Sequence, residues 1–111
     1  MKEFFENFSE LKELKTVIFH AFPGSPEEAK SIKKKLPQSY FSFGSSILSL
    51  RKNSLRCVKE LETDNILLET DFPFQKLNSV YSVYKTVSNI KNISFESLCL
   101  TISDTVLKIF S

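Results

Sequence analysis

Glu69 and Asp71 stand two residues apart where the apolar run Ile66-Leu67-Leu68 ends, with Thr70 between them and Phe72-Pro73 behind. Successive side chains of a strand alternate faces, so the two carboxylates point the same way. Like charges side by side in a half-buried place are costly without a cation between them, which makes the pair a candidate for metal binding. The alternative is that both acids face solvent where the strand frays. His20, the chain's single histidine, closes a second apolar run, Thr16-Val17-Ile18-Phe19, and the small polar turn Gly44-Ser45-Ser46 closes a third, Tyr40-Phe41-Ser42-Phe43. An imidazole, a polar turn and a carboxylate delivered from three strand ends are the parts of a metal or hydrolytic site. Read alone, the histidine fits a structural hydrogen-bonding role at least as well.

Those strand ends need elements to hold them together. Residues 3–14 place Phe4, Phe5, Phe8, Leu11 and Leu14 at three- and four-residue steps, the stripe of a helix packed on one face. Pro23 and Gly24 break the run after His20. The sequence Ser25-Pro26-Glu27-Glu28 then has the form of an N-cap, a proline at N1 and acids in the first turn, so a helix over 26–35 follows. Leu36-Pro37 stops it, and the pattern continues as a strand over 39–43, a short helix over 54–61, a strand over 65–69 and helices over 78–90 and 94–109. Helices alternating with strands across long connections predict an α/β fold with about three parallel strands. In such sheets functional groups collect beyond the carboxyl ends of the strands, where His20, Gly44 to Ser46 and Asp71 fall.

Composition narrows the possibilities. The 111 residues, 41% apolar and 13% aromatic, suffice for one domain with a real core. No apolar run approaches the roughly 20 residues of a membrane span, and the N-terminus lacks the hydrophobic segment of a signal peptide. The expected compartment is therefore the cytosol, with no membrane partner. Fifteen basic residues against thirteen acidic leave a net charge of +2, too small for global charge to argue for nucleic acid. Lys33-Lys34-Lys35 is expected as a solvated helix end, its cations complementing the dipole. Cys57 and Cys99 have no second cysteine or histidine at ligand spacing and read as buried, reduced thiols.

Three segments carry a resemblance: Val17-Ile18-Phe19-His20-Ala21-Phe22-Pro23-Gly24-Ser25, Tyr40-Phe41-Ser42-Phe43-Gly44 and Leu67-Leu68-Glu69-Thr70-Asp71-Phe72-Pro73-Phe74. In order and separation they resemble the TatD family of metal-dependent hydrolases. That resemblance, which runs from about residue 16 to the C-terminus, implies a TIM-like barrel of the amidohydrolase type and a deoxyribonuclease activity that uses one or two divalent metals, zinc, magnesium or manganese. It implies that His20 is a metal ligand and that Asp71 is a metal ligand and the catalytic general base. It implies that Glu69 supports the ligands rather than catalysing, and that Phe22, Gly24 and Ser25 shape a turn beside the substrate. For Phe22 and Ser25, packing and helix capping are local demands that explain the same residues.

The departures imply as much as the match. Members of the family carry a His-x-His pair on the first strand, a glutamate on a middle strand and another histidine one strand before His20, and this chain has no candidate for any of those histidines. Asp104 stands where relatives tend to have asparagine. The sequence therefore looks like the C-terminal portion of a TIM-like (β/α)8 barrel, one partial domain over 1–111, with residues 1–15 forming the helix before the first retained strand. A hydrolytic metal site needs three or more protein ligands and an open position for water. Two ligands imply weak metal binding or none, and an isolated chain without activity. DNA is the implied partner of the intact family, with DNA against RNA left open. A second reading is a non-catalytic α/β interaction module, a decayed remnant or one half of a split barrel that self-associates or takes a complementary polypeptide.

Overall fold

A computed structural model describes residues 14–69 and 77–110 of the chain. The expected N-terminal helix and Asp71 lie outside the described residues. Three short strands form one parallel sheet in the order β1 (Val17–Phe19), β2 (Ser39–Phe43), β3 (Ile66–Leu68). The register pairs Phe19 with Phe41, Phe41 with Ile66 and Phe43 with Leu68. Partners in a parallel pair share a face, so one face of the sheet carries Val17, Phe19, Phe41, Phe43, Ile66 and Leu68, with the buried Ser39 at its edge.

Helices cover that face. α1 (Pro26–Lys35) begins in a full capping box: Glu28 N–H donates to Ser25 Oγ at 3.2 Å, and Ser25 N–H donates to Glu28 Oε1 at 3.0 Å. Ala29 and Ile32 on α1, with Leu36 at its end, are fully buried against Phe41 and Phe43. The path from β2 to β3 carries α2 (Ser45–Leu48), α3 (Lys52–Glu60) and a 3-10 turn at Thr63–Asn65. Two fifteen-residue helices follow, α4 (Leu77–Lys91) and α5 (Phe95–Ile109), and Val87, Leu98 and Ile102 complete the core. Each large apolar side chain fully buried there contributes about 1.5–3 kcal/mol.

The expected alternation of three parallel strands with helices is what the chain adopts. Two local features differ. Ser45–Leu48 is a helical turn rather than a bare polar loop. Lys33 is not a solvated helix end: its Nζ donates to Ser39 O at 2.7 Å and lies 4.7 Å from the centroid of the Tyr40 ring, and burial lowers its pKa. The half-buried ammonium is held there by the free carbonyl at the start of β2 and by the ring face. No helix among the described residues is long and apolar enough to cross a membrane.

Candidate functional site

The second face of the sheet carries Ile18, Tyr40, Ser42 and Leu67 by alternation, and Ile18 is 42% exposed there. Continuing that alternation past the strand ends brings His20 and Glu69 onto the same side. They meet: His20 Nδ1 lies 2.7 Å from Glu69 Oε2. Ser42 Oγ donates to the same carboxylate oxygen. Glu69 N–H donates to Phe43 O at 2.9 Å, which extends the β2–β3 ladder by one bond beyond the strand and fixes the residue.

A close approach of backbones makes this possible. A Cβ on Gly44 would lie 2.5 Å from the carbonyl oxygen of Glu69 and 3.1 Å from its Cγ, so only glycine lets β3 end where it does. The Glu69 side chain is 20% exposed, whereas the His20 side chain is 71% exposed. The carboxylate is the half-buried anchor and the imidazole the accessible group. With Nδ1 engaged by Glu69, Nε2 is the ring nitrogen left for another partner. Carboxylates that hold a histidine in this way fix its tautomer and raise its basicity toward a metal.

Among the three turn residues, Phe22 is 1% exposed and packs edge-on against Phe41 at a centroid distance of 4.8 Å. A Cβ on Gly24 would lie 2.6 Å from Cζ of Phe22, and Gly24 O accepts from Cys57 Sγ at 3.4 Å. Ser25 caps α1. These residues build the turn that follows His20, whose next residue, Ala21, takes the left-handed conformation at φ 50°. Burial pushes the Cys57 thiol up to about 11, so it is an inert packing group. Cys99, also a free thiol, is only half-buried.

The arrangement was partly visible in sequence: it brings His20 and Glu69 together, while Asp71 lies outside the described residues. Ser42 was missed as a member, although its place two residues before Gly44 on the face of Leu67 is the signal that could have found it. Among the described residues no three or more histidines, cysteines or carboxylates converge as metal ligands. His20 and Glu69 fit one imidazole ligand and its support, not a complete divalent-metal site.

Comparison with known proteins agrees with this architecture. The whole sequence, residues 1–111, matches the family described as TatD related DNase. A protein of Vairimorpha ceranae named as a homolog of the deoxyribonuclease TATDN1 is 37% identical over 73 residues, covering 65% of this chain and 27% of its own length. The uncharacterized metal-dependent hydrolase YabD of Bacillus subtilis is 28% identical over 104 residues, covering 84% of this chain and 40% of its own length. In fold, the chain is similar to an uncharacterized amidohydrolase from Saccharomyces cerevisiae, with a TM-score of 0.68 at 18% identity over 85% of this chain and 40% of that one. The chain thus spans well under half the length of these relatives.

Proposed function

The chain belongs to the TatD related DNase family, and on that premise we propose that it is the C-terminal portion of a metal-dependent phosphodiesterase barrel acting on DNA. His20 supplies one imidazole ligand through Nε2, and Asp71 supplies a carboxylate ligand and accepts a proton from the attacking water. Glu69 and Ser42 hold the imidazole, and the turn of Phe22, Gly24 and Ser25 borders the substrate. A divalent cation held by these residues would supply Lewis-acid activation of the attacking water. The observation that carries the reading is the 2.7 Å contact of His20 Nδ1 with Glu69, which leaves Nε2 directed to an outside ligand.

The chain alone binds divalent cations weakly and does not cleave DNA, because the remaining histidine ligands that the family uses have no candidates here. Paramagnetic broadening by Mn²⁺ tests the reading without an activity assay, since a single histidine gives a single set of imidazole resonances. Mn²⁺ should broaden the His20 ring signals. Asp71→Ala should abolish that broadening, and Glu69→Gln should weaken Mn²⁺ binding about tenfold or more. Broadening centred away from His20, or unchanged in Asp71→Ala, refutes the shared site.

A second reading is favoured by a separate observation, the exposed apolar surface: Ile18 on β1 is 42% exposed, and Leu100 and Leu107 on α5 are 66% and 69% exposed. On this reading the chain is one half of a split barrel, or an interaction module, that covers these faces with a second polypeptide or a second copy.

A further inference from the structure

Past the carboxyl ends of β1 and β2, a cavity of about 280 Å³ opens beside the His20 turn. One wall is Ala21-Phe22-Pro23, and the other is formed by Ser46, Arg51, Ser54 and two further serines. Among the described residues no carboxylate lines it. Arg51 forms no ion pair among the described residues. The Ser46 hydroxyl is buried and has no hydrogen-bond partner among the described residues, and Ser54, also on the wall, is 3% exposed. Buried hydroxyls in folded proteins almost always have a partner, so an unpartnered one in a cavity wall points to something bound there. The space is several times the roughly 30 Å³ that one water occupies in the liquid.

Backbone geometry sets residues 46 and 51 side by side. α2 closes in a Schellman arrangement: Leu50 is left-handed at φ 56°, its N–H donates to Ile47 O at 3.2 Å, and Arg51 N–H donates to Ser46 O at 3.1 Å. The bond that ends α2 therefore joins the backbones of Arg51 and Ser46, and both residues line the cavity. A guanidinium with hydroxyl donors around it, and no anion beside it among the described residues, is complementary to phosphate oxygens, which accept the fork of arginine bidentately.

We propose that this cavity is a phosphate subsite, in which the Arg51 guanidinium and the Ser46 hydroxyl hold the oxygens of a phosphate group next to the His20 imidazole. The source is a backbone phosphate of the substrate strand or free phosphate. The assignment to a substrate strand rests on the phosphodiesterase reading, whereas binding of phosphate itself does not. The test follows backbone amide and Arg51 side-chain NMR signals of the full chain during titration with inorganic phosphate and, separately, with a short single-stranded thymidine oligonucleotide lacking terminal phosphates. Both probes should shift residues 45–51 and the Arg51 Nε signal. Ser46→Ala and Arg51→Ala should each weaken binding about tenfold, with Arg51→Lys intermediate. Ser46→Ala should keep or raise the melting temperature, because it removes an unpartnered buried hydroxyl, and this separates a binding role from a structural one. Phosphate binding without oligonucleotide binding supports the subsite and assigns it to free phosphate. Shifts confined to other surfaces, or equal affinity in all three variants, overturn it and leave the cavity to water. Mn²⁺ broadening at His20 should persist in Arg51→Ala, so failure of the metal site and failure of the phosphate subsite read out separately.

Discussion

Glu69 accepts two hydrogen bonds on one oxygen, from His20 and from Ser42, and that doubling decides what each residue can do. A carboxylate occupied in this way is poorly placed to abstract a proton from water, which leaves it to orient the ring. The two cysteines show the same dependence on surroundings. Cys57 is fully buried, donates to Gly24 O and is pushed up to about 11, whereas Cys99 is half-buried on α5. A thiol pKa two units above its usual 9.0 cuts the thiolate fraction near neutral pH about a hundredfold. Alkylation at pH 8 by iodoacetamide, mapped by peptide mass, should therefore modify Cys99 first and Cys57 only on unfolding. Equal rates would show that the Gly24 turn opens readily. Linkage fixes the sign in alkali: the folded pKa of Cys57 is raised, so its contribution to stability is complete below about 9 and is lost as pH rises toward about 11.

At the scale of elements, the meeting of β2 and β3 depends on Gly44. Gly44→Ala puts a methyl 2.5 Å from the Glu69 carbonyl, and backbone rather than a flexible side chain must move. The expected cost is about 1–3 kcal/mol in urea unfolding, together with loss of the His20–Glu69 contact, seen as a change in the imidazole signals. Leu50→Gly should act in the opposite sense. It relieves a left-handed leucine that is 70% exposed, so stability rises by up to about 1 kcal/mol. An unchanged melting temperature in Gly44→Ala would mean that β3 can end elsewhere. The same elements explain what the sequence made legible. The strands at 17–19, 39–43 and 66–68 stood out because β-branched and aromatic residues cluster between Pro, Gly and Ser breaks, and α1 stood out through Ser25-Pro26-Glu27-Glu28. α2 did not, because four residues rich in serine carry turn chemistry and no helical stripe. The His20–Glu69 contact spans 49 positions and the Asn53–Pro23 bond spans 30, and local periodicity holds no information about such distances. Lys91 is similar: its Nζ caps α3 from across the fold by donating to Val58 O at 2.8 Å and Leu61 O at 2.6 Å.

For the molecule as a whole, the described residues make a sheet with two ends. β2 is paired on both sides, whereas β1 and β3 each pair with β2 alone. Parallel strands with an unpaired edge invite another chain, and closed barrels exist because closure removes those edges. The apolar residues left outside the core point the same way. Leu100 and Leu107 are one heptad apart on α5, and Phe110, 78% exposed, extends their stripe toward its end. Ile18, 42% exposed, adds a second apolar point on the sheet. The chain should accordingly associate in a concentration-dependent way, with a weight-average mass in sedimentation equilibrium rising above 12.8 kDa across the micromolar to millimolar range. Leu100→Lys with Leu107→Lys should shift that equilibrium toward monomer if the α5 stripe is the contact. Association that survives the double substitution assigns it to the strand edges instead. A chain that stays at 12.8 kDa throughout would mean that a second copy does not cover these faces, and the self-association reading would fall with it.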